Sequence, residues 1–403
     1  MKSTKVTFTN KEGIELSGRI ELPIGGVPKA FALFAHCFTC SKNFAAVTNI
    51  SRALTQNDIG VLRFDFTGLG DSSGDFSDTN FSSNVDDLVS AAEFLEKEYE
   101  APKIMIGHSL GGTATLQASS LIGSAQAVAT IGSPADPPHV KHLFSKALED
   151  IKEQGYAEVN IGGRPFKIKK HFLDDLEKNS LKSTLPKLDK ALLFIHSPQD
   201  EIVEVDNAAK LYGYAKHPKS FISLDGADHM MSNKQDSLYA GSIIASWAIR
   251  YIDIKEKEAL KSEKQVSVRT GEQGYTTEVR AGQHMLTADE PESVGGNDLG
   301  PTPYGYLLAS LGSCTSMTLR MYADHKKWNL KEIRVHLGHK KVHAEDCDHC
   351  EEKDSKIDRI EREIEIFGDL DEGQKKRLLE IADKCPVHKT LHNDVEIIST
   401  LKQ

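Results

Sequence analysis

A serine, an aspartate and a histidine lie in this 403-residue chain at places where together they could carry out acyl transfer. Ser109 stands in Gly107-His108-Ser109-Leu110-Gly111-Gly112, after the apolar run KIMI and before the helical pattern TATLQAS. A strand that turns sharply into a helix at a serine leaves no room for side chains two residues to either side, and glycines occupy both places. A serine hydroxyl is a weak nucleophile at neutral pH; it needs a base, and the base needs an orienting acid. Asp200 follows the apolar run ALLFIH and His229 follows SFISL, both beyond the carboxyl ends of predicted strands, where ligands of open α/β sheets collect. The plainer readings are a Gly-rich turn with an idle serine, a helix cap at Asp200 and a surface-turn histidine, with Asp206 and Asp228 as rival acids. An oxyanion hole would combine the Leu110 N–H with one from the loop His36-Cys37-Phe38-Thr39.

Cysteines supply the second chemistry. Of the six, Cys314 lies on the small-residue face of a long predicted helix, and Cys385 precedes Pro386, which can open a new helical turn. The positive end of a helix favours the thiolate that attacks an oxidant. Either cysteine alone reads equally as core. Cys37-Phe38-Thr39-Cys40 brackets the candidate oxyanion loop, as two thiols packed behind a strand end or as a pair that can oxidise across the turn. Cys347-Asp348-His349-Cys350, with His339 and His343 nearby, could hold zinc, but no second such pair completes a four-ligand set, and a polar loop between strands is the simpler reading. No metal and no organic cofactor is expected.

These residues must be held by elements. Strand-like runs at 29–36, 59–66, 103–107, 127–132, 191–196 and 220–224 alternate with helical patterns such as 84–99 and 237–251. Continuous apolar runs suit parallel strands buried on both faces, and the alternation predicts an α/β, doubly wound, mostly parallel sheet. The interval 133–190 breaks the rhythm: it is polar and mostly helical, with a hairpin expected at 159–169, and reads as a lid. A charged stretch at 256–264 is expected as a linker between a first domain, 1–255, and a second, 265–403. The second should hold three strands at 265–287, a helix at 304–326, strands at 330–342 and 357–367, a helix at 371–384 and a last strand at 395–401, an α+β pattern.

On these motifs the first 255 residues resemble the α/β-hydrolase superfamily, with lid placement similar to small-lid carboxylesterases, including cinnamoyl and feruloyl esterases. His36-Cys37-Phe38 resembles that family's His-Gly-x oxyanion stretch, with Cys in place of Gly, which implies Phe38 as the second donor. Asp65-Phe66-Thr67-Gly68-Leu69-Gly70-Asp71-Ser72 resembles its Gly-rich loop after the next strand, for which turning the chain is role enough. Residues 265–403, through the run from Gly300 to Cys314 and through Cys385-Pro386-Val387-His388, resemble the OsmC/Ohr family. That resemblance implies thiol-dependent reduction of organic hydroperoxides, with Cys314 attacking peroxide, Cys385 resolving, a thiol reductant recycling the pair, and an intertwined homodimer. Tyr304-Gly305 replaces the family's usual acidic residue, and Arg280 is the candidate for its partner arginine.

Composition narrows the rest. With 49 basic and 59 acidic side chains the formal charge is −10, and no cluster of Lys and Arg interleaved with aromatics appears, so nucleic acid is not an expected partner. No apolar run reaches the roughly 18 to 20 residues that cross a bilayer, and the start carries no signal-peptide core, so a cytoplasmic address away from membranes is expected. Six cysteines are too few to staple a chain this long. The expectation is an ester-cleaving serine hydrolase fused to a peroxide-reducing domain. The class-different alternative is a peroxide-defence protein whose hydrolase fold serves only for binding or docking.

Overall fold

The computed structural model describes residues 2–23, 27–161, 163–254, 264–272, 274–343 and 356–401. It divides into two compact units, Met1–Gln283 and His284–Gln403. Apart from Lys264, the expected linker lies outside the described residues, as do Cys347 and Cys350.

The first unit opens with a hairpin, β1 (Lys2–Thr9) against β2 (Glu15–Leu22), which the sequence reading did not single out. Then come β3 (Ala30–Ala35), α1 (Ala45–Gln56), β4 (Ile59–Phe64), α2 (Phe81–Glu98), β5 (Ile104–His108), α3 (Leu110–Ala118) and β6 (Ala127–Ile131). With β9 (Ala191–His196) and β10 (Lys219–Ser223) further along the chain, the eight-stranded sheet runs in the order β1-β2-β4-β3-β5-β6-β9-β10; β2 is antiparallel to β4, and the pairings from β4 to β10 are parallel. The predicted mostly parallel, doubly wound sheet is therefore what the chain forms.

Burial explains the apolar runs. In β3, Phe31, Leu33 and Ala35 join the core that α2 and α3 cover, while Ala30, Ala32 and Phe34 join the core on the opposite face with Ile50 of α1. Successive strand side chains point to opposite faces, so only a strand covered on both sides wants every position apolar. Helix α2 starts where Asn80 accepts a hydrogen bond from the Ser83 amide and Ser83 returns one, a capping box worth on the order of 1 kcal/mol. Its buried residues Phe81, Val85, Leu88, Ala92 and Leu95 recur at three- and four-residue steps, the single face a helix turns to a sheet.

The insertion contains α4 (Leu148–Gln154), the hairpin β7 (Tyr156–Ile161) and β8 (Arg164–Lys169), α5 (Lys170–Lys178) and α6 (Leu181–Thr184). Phe172, Leu173 and Leu176 of α5 pack on the sheet's core, which anchors the lid. Next follow β9 (Ala191–His196), α7 (Asp206–Tyr214), β10 (Lys219–Ser223) and α8 (Lys234–Ala248), then β11 (Val266–Thr270) paired antiparallel with β12 (Thr277–Ala281).

The second unit contains β13 (His284–Ala288), the long helix α9 (Pro303–Lys326), the hairpin β14 (Asn329–His343) and β15 (Lys356–Asp369), α10 (Glu372–Ala382) and α11 (Pro386–His392). Thr302 caps α9 through the Gly305 amide with Pro303 in the first turn, and Leu319, Ala323, Leu330, Leu378 and Ile381 close a small core. One expectation fails. Residues 395–401 form no strand, because a strand needs a neighbour to take its amide and carbonyl groups and none among the described residues does so. Val395, Ile397, Ile398 and Leu401 stand exposed instead.

Candidate active site

Ser109 occupies the turn between β5 and α3 with φ 56° and ψ −132°, a conformation that L side chains seldom adopt. A Cβ on Gly107 would lie 2.5 Å from the Gly112 Cα, and one on Gly111 would lie 2.1 Å from the His36 carbonyl oxygen. Both glycines are therefore required by the packing of the turn. The turn presents the Ser109 hydroxyl 3.0 Å from His229 Nε2, while His229 Nδ1 is 2.7 Å from Asp200 Oδ2. The three residues that sequence spacing singled out thus meet in one hydrogen-bonded chain. Asp206 opens α7, and Asp228 accepts the Ser232 amide.

Asp200 is held from behind as well as in front. Its Oδ1 accepts the amides of Ile202 and Val203, both at 2.9 Å. Burial works against the charged carboxylate most strongly. The hydrogen bond and charge of His229, together with the Val203 and Ile202 amides, outweigh it and hold the group below the usual aspartate range. The arrangement can therefore keep an ionised acid behind the base, which orients the imidazole and stabilises the imidazolium as it takes the serine proton.

A cavity of about 390 Å³ opens beside Ser109, lined by Phe38, Leu110, Val140, Leu143, Ile161, Ile202 and Val203 among others. Val140, Leu143 and Ile161 belong to the lid, so the insertion supplies the apolar wall that a reacting acyl chain would touch. Leu110 opens α3, and its N–H is one of the first amides of a helix, which have no acceptor within it. Phe38 and Leu110 line this same cavity.

Cys37 and Cys40 are joined by a disulfide, with Cα atoms 5.3 Å apart. The reading of two separate thiols behind the strand end is corrected. The Cys40 amide donates to the Cys37 carbonyl, closing a tight turn that carries both sulfurs within bonding reach and Phe38 and Thr39 at its tip.

The sequence reading missed what anchors this loop. Lys42, 1% exposed in its side chain, sets its ammonium on the wholly buried Asp65 and on Asp71, and its backbone amide also donates to Asp65. Arg63 donates to the Lys42 carbonyl and pairs with Glu21 at 2.7 Å. The loop that was expected only to turn the chain therefore contributes a buried carboxylate that holds Lys42, two residues beyond the Cys37–Cys40 turn. Lys42 lies 23 residues before Asp65, a separation that carries no sequence signature.

In the second unit Cys314 is partly buried, Cys385 is wholly buried, and both are free. Cys385 caps α11, its sulfur accepting the His388 amide at 3.3 Å and lying 3.7 Å from the Thr315 hydroxyl. Arg362 of β15 donates to the Thr315 hydroxyl at 3.0 Å, to the Ala382 carbonyl and to Asp383. This guanidinium was not foreseen; Arg280, the candidate named from sequence, sits on β12 and donates to the Gly282 carbonyl. Tyr304 stacks on His339 at 4.3 Å, and His339 bonds Asp358. Among the described residues no group of three His, Cys, Asp or Glu is placed to hold a metal, and no helix is long and apolar enough to cross a membrane.

Comparison with known proteins agrees with this geometry. The α/β hydrolase family model matches residues 32–241 and the OsmC-like protein model residues 295–400. The esterase domain of a Rhodothermus marinus protein is 48% identical, with a TM-score of 0.53, covering 62% of this chain and 99% of its own. Est1E of Butyrivibrio proteoclasticus, solved with ferulic acid, shares the fold at 17% identity and a TM-score of 0.51, over 61% of this chain and 98% of its own. The protein YfhR of Salmonella typhimurium is 24% identical over 249 residues, 60% of this chain and 80% of its own length. With its model spanning more than half of the sequence, the chain belongs to the α/β-hydrolase family and carries an OsmC-like domain behind the hydrolase fold.

Proposed function

We propose that the first unit is a serine hydrolase of carboxylic esters. The observation that carries this reading is the hydrogen-bonded run Ser109–His229–Asp200 opening on an apolar cavity. Ser109 attacks the acyl carbonyl, His229 takes its proton and returns it to the leaving alcohol, and Asp200 holds His229 in register. The amides of Phe38 and Leu110 receive the oxyanion, and water then releases the acid from the acyl-enzyme. Likeness to the Rhodothermus marinus esterase domain supports the choice of ester. A fluorophosphonate probe tests it: wild type becomes labelled and Ser109→Ala does not, whereas two unlabelled proteins would leave the hydrolase fold as a docking module only.

For the second unit we propose thiol-dependent reduction of organic hydroperoxides by Cys314 and Cys385, recycled by a small or protein thiol, in a homodimer formed through this unit. The observations behind it are two free cysteines, of which Cys385 lies 3.7 Å from the hydroxyl of Thr315, the residue after Cys314, and the exposed apolar side chains at 395–401, which a second copy could cover.

The Cys37–Cys40 bond brackets the Phe38 amide, so making or breaking it re-aims one oxyanion donor. Loss of one such donor costs about 10² to 10³ in turnover. With the bond formed in this structure, dithiothreitol is expected to slow ester hydrolysis, and mild peroxide to restore it, in wild type but not in Cys37→Ala/Cys40→Ala. Equal responses in the two proteins would show that this turn does not sense oxidant.

A further inference from the structure

His229 and Asp200 are carried on loops, yet a base and its acid must hold position to within a fraction of an ångström of the serine. Two buried histidines at strand ends connect those loops to the sheet. His108, the last residue of β5, reaches across 121 residues of sequence to the His229 carbonyl oxygen at 2.8 Å. His196, the last residue of β9, reaches the Val203 carbonyl at 2.7 Å and lies 3.6 Å from Asp200 Oδ2. Val203 is thereby gripped at both ends of one residue: its amide donates to the Asp200 carboxylate and its carbonyl accepts from His196.

We propose that His108 and His196 are positioning residues for the His229–Asp200 pair, each donating its Nε2–H to the backbone of the loop that carries one partner. This rests on reading Ser109, His229 and Asp200 as the reacting set. A carbonyl accepts only from a protonated nitrogen, so His108 carries its hydrogen on Nε2, and its buried Nδ1 finds no partner among the described residues. An apolar side chain of the same size would avoid that unpaired acceptor, so packing alone does not account for an imidazole here. Desolvation, reinforced by repulsion from His229, holds its pKa at about 3, and it stays neutral across the working range. Neutrality matters, because the two rings lie 5.1 Å apart and a cation at 108 would oppose the charge that His229 must take up as base. Burial likewise lowers His196. His36, just beyond the end of β3, donates to its neighbour Cys37 and sets its Nε2 3.9 Å from Asp65, bonding neither the loop of His229 nor that of Asp200.

The test compares His108→Met, which keeps bulk without a donor, with His108→Gln, whose amide N–H extends as far as Nε2. Displacing a catalytic group by about an ångström can cost roughly 10² in rate. His108→Met is expected to lose about 10- to 100-fold in kcat with KM changed less than about threefold. The rate of Ser109 phosphonylation should fall in parallel, and His108→Gln should restore most of both. A His108→Met protein with wild-type kcat, or a His108→Gln protein equally stable but as slow as His108→Met, overturns the proposal. Thermal melting of each variant separates positioning from folding, and if His108→Met does not fold, His196→Met and His196→Gln are read in the same way. Failure of the underlying reading looks different: wild type itself would take up no probe and cleave no ester.

Discussion

Replacing Ser109 by alanine is expected to lower ester turnover by about 10⁴- to 10⁶-fold while the first unit stays folded. The hydroxyl's hydrogen bond is to His229, so its removal leaves no other buried group unpaired, and alanine accepts the turn's backbone no worse than serine does. His229→Ala should match it, because the three groups act as one unit and losing either nucleophile or base leaves only binding and the oxyanion amides. Asp200→Asn should cost somewhat less, on the order of 10³ to 10⁴, since the amide can turn an N–H toward His229 and impose the wrong tautomer without emptying the site. Ester hydrolysis by the three purified variants, with circular dichroism to verify folding, measures all of this, and full activity in Asp200→Asn would move the acid elsewhere. Linkage adds a second readout. Asp200 titrates below its unfolded value, so it contributes stability that is present above that value and lost as the pH falls through the folded one. The asparagine variant should therefore show a flatter acid limb in its stability curve.

The second large effect is expected at the thiols. One equivalent of an organic hydroperoxide should convert Cys314 to a sulfenic acid, with the peroxide's far oxygen leaving as the alcohol. The Cys385 thiol should then displace water to form a disulfide, the two steps together consuming two thiols and one hydroperoxide. Peroxide consumption should vanish in Cys314→Ser, and Cys385→Ser should stop at the sulfenic acid, which dimedone traps and mass spectrometry reads. Arg362 donates to the Thr315 hydroxyl that lies 3.7 Å from Cys385, in a unit whose α9 start carries Tyr304 where the resemblance to the OsmC/Ohr family implies an acid. If both thiols survive stoichiometric peroxide, that exchange has silenced the site and the unit serves assembly alone.

The elements around Ser109 were legible because their signals are local. KIMIGHSLGG encodes a buried strand, a crowded turn and a helix start within ten residues, and strands such as Ala191–His196 announce themselves by unbroken burial. Asp200 and His229, which the structure brings to Ser109, were reached by chain order, since each follows a strand by only a few residues. The bridges were not legible: His108 finds its acceptor 121 residues away, and Arg362 finds Thr315 across 47, distances at which residue type carries no address. The opening hairpin escaped notice because its apolar residues, Val6 and Phe8 in β1 and Leu16, Ile20 and Leu22 in β2, occupy only alternate positions and form none of the unbroken apolar runs that mark strands covered on both faces. The last expected strand failed for the converse reason. Val395, Ile397, Ile398 and Leu401 make the run apolar enough for a strand, but apolar content specifies no neighbour.

The buried ions beneath the oxyanion turn restrict how this sequence can change over time. Lys42 and Asp65 have almost no contact with water, so removing Lys42 leaves the interior Asp65 without its cation and removing Asp65 leaves the buried Lys42 with Asp71 alone, at a cost of up to about 3 to 5 kcal/mol. That is a large share of the 5 to 15 kcal/mol by which a typical domain is stable. Exchanging both together for apolar side chains of similar volume is close to neutral. Single steps away from the pair therefore pass through a poorly folded intermediate, while the paired step does not. The pair behaves as one inherited unit, open to drift only when two codons change at once.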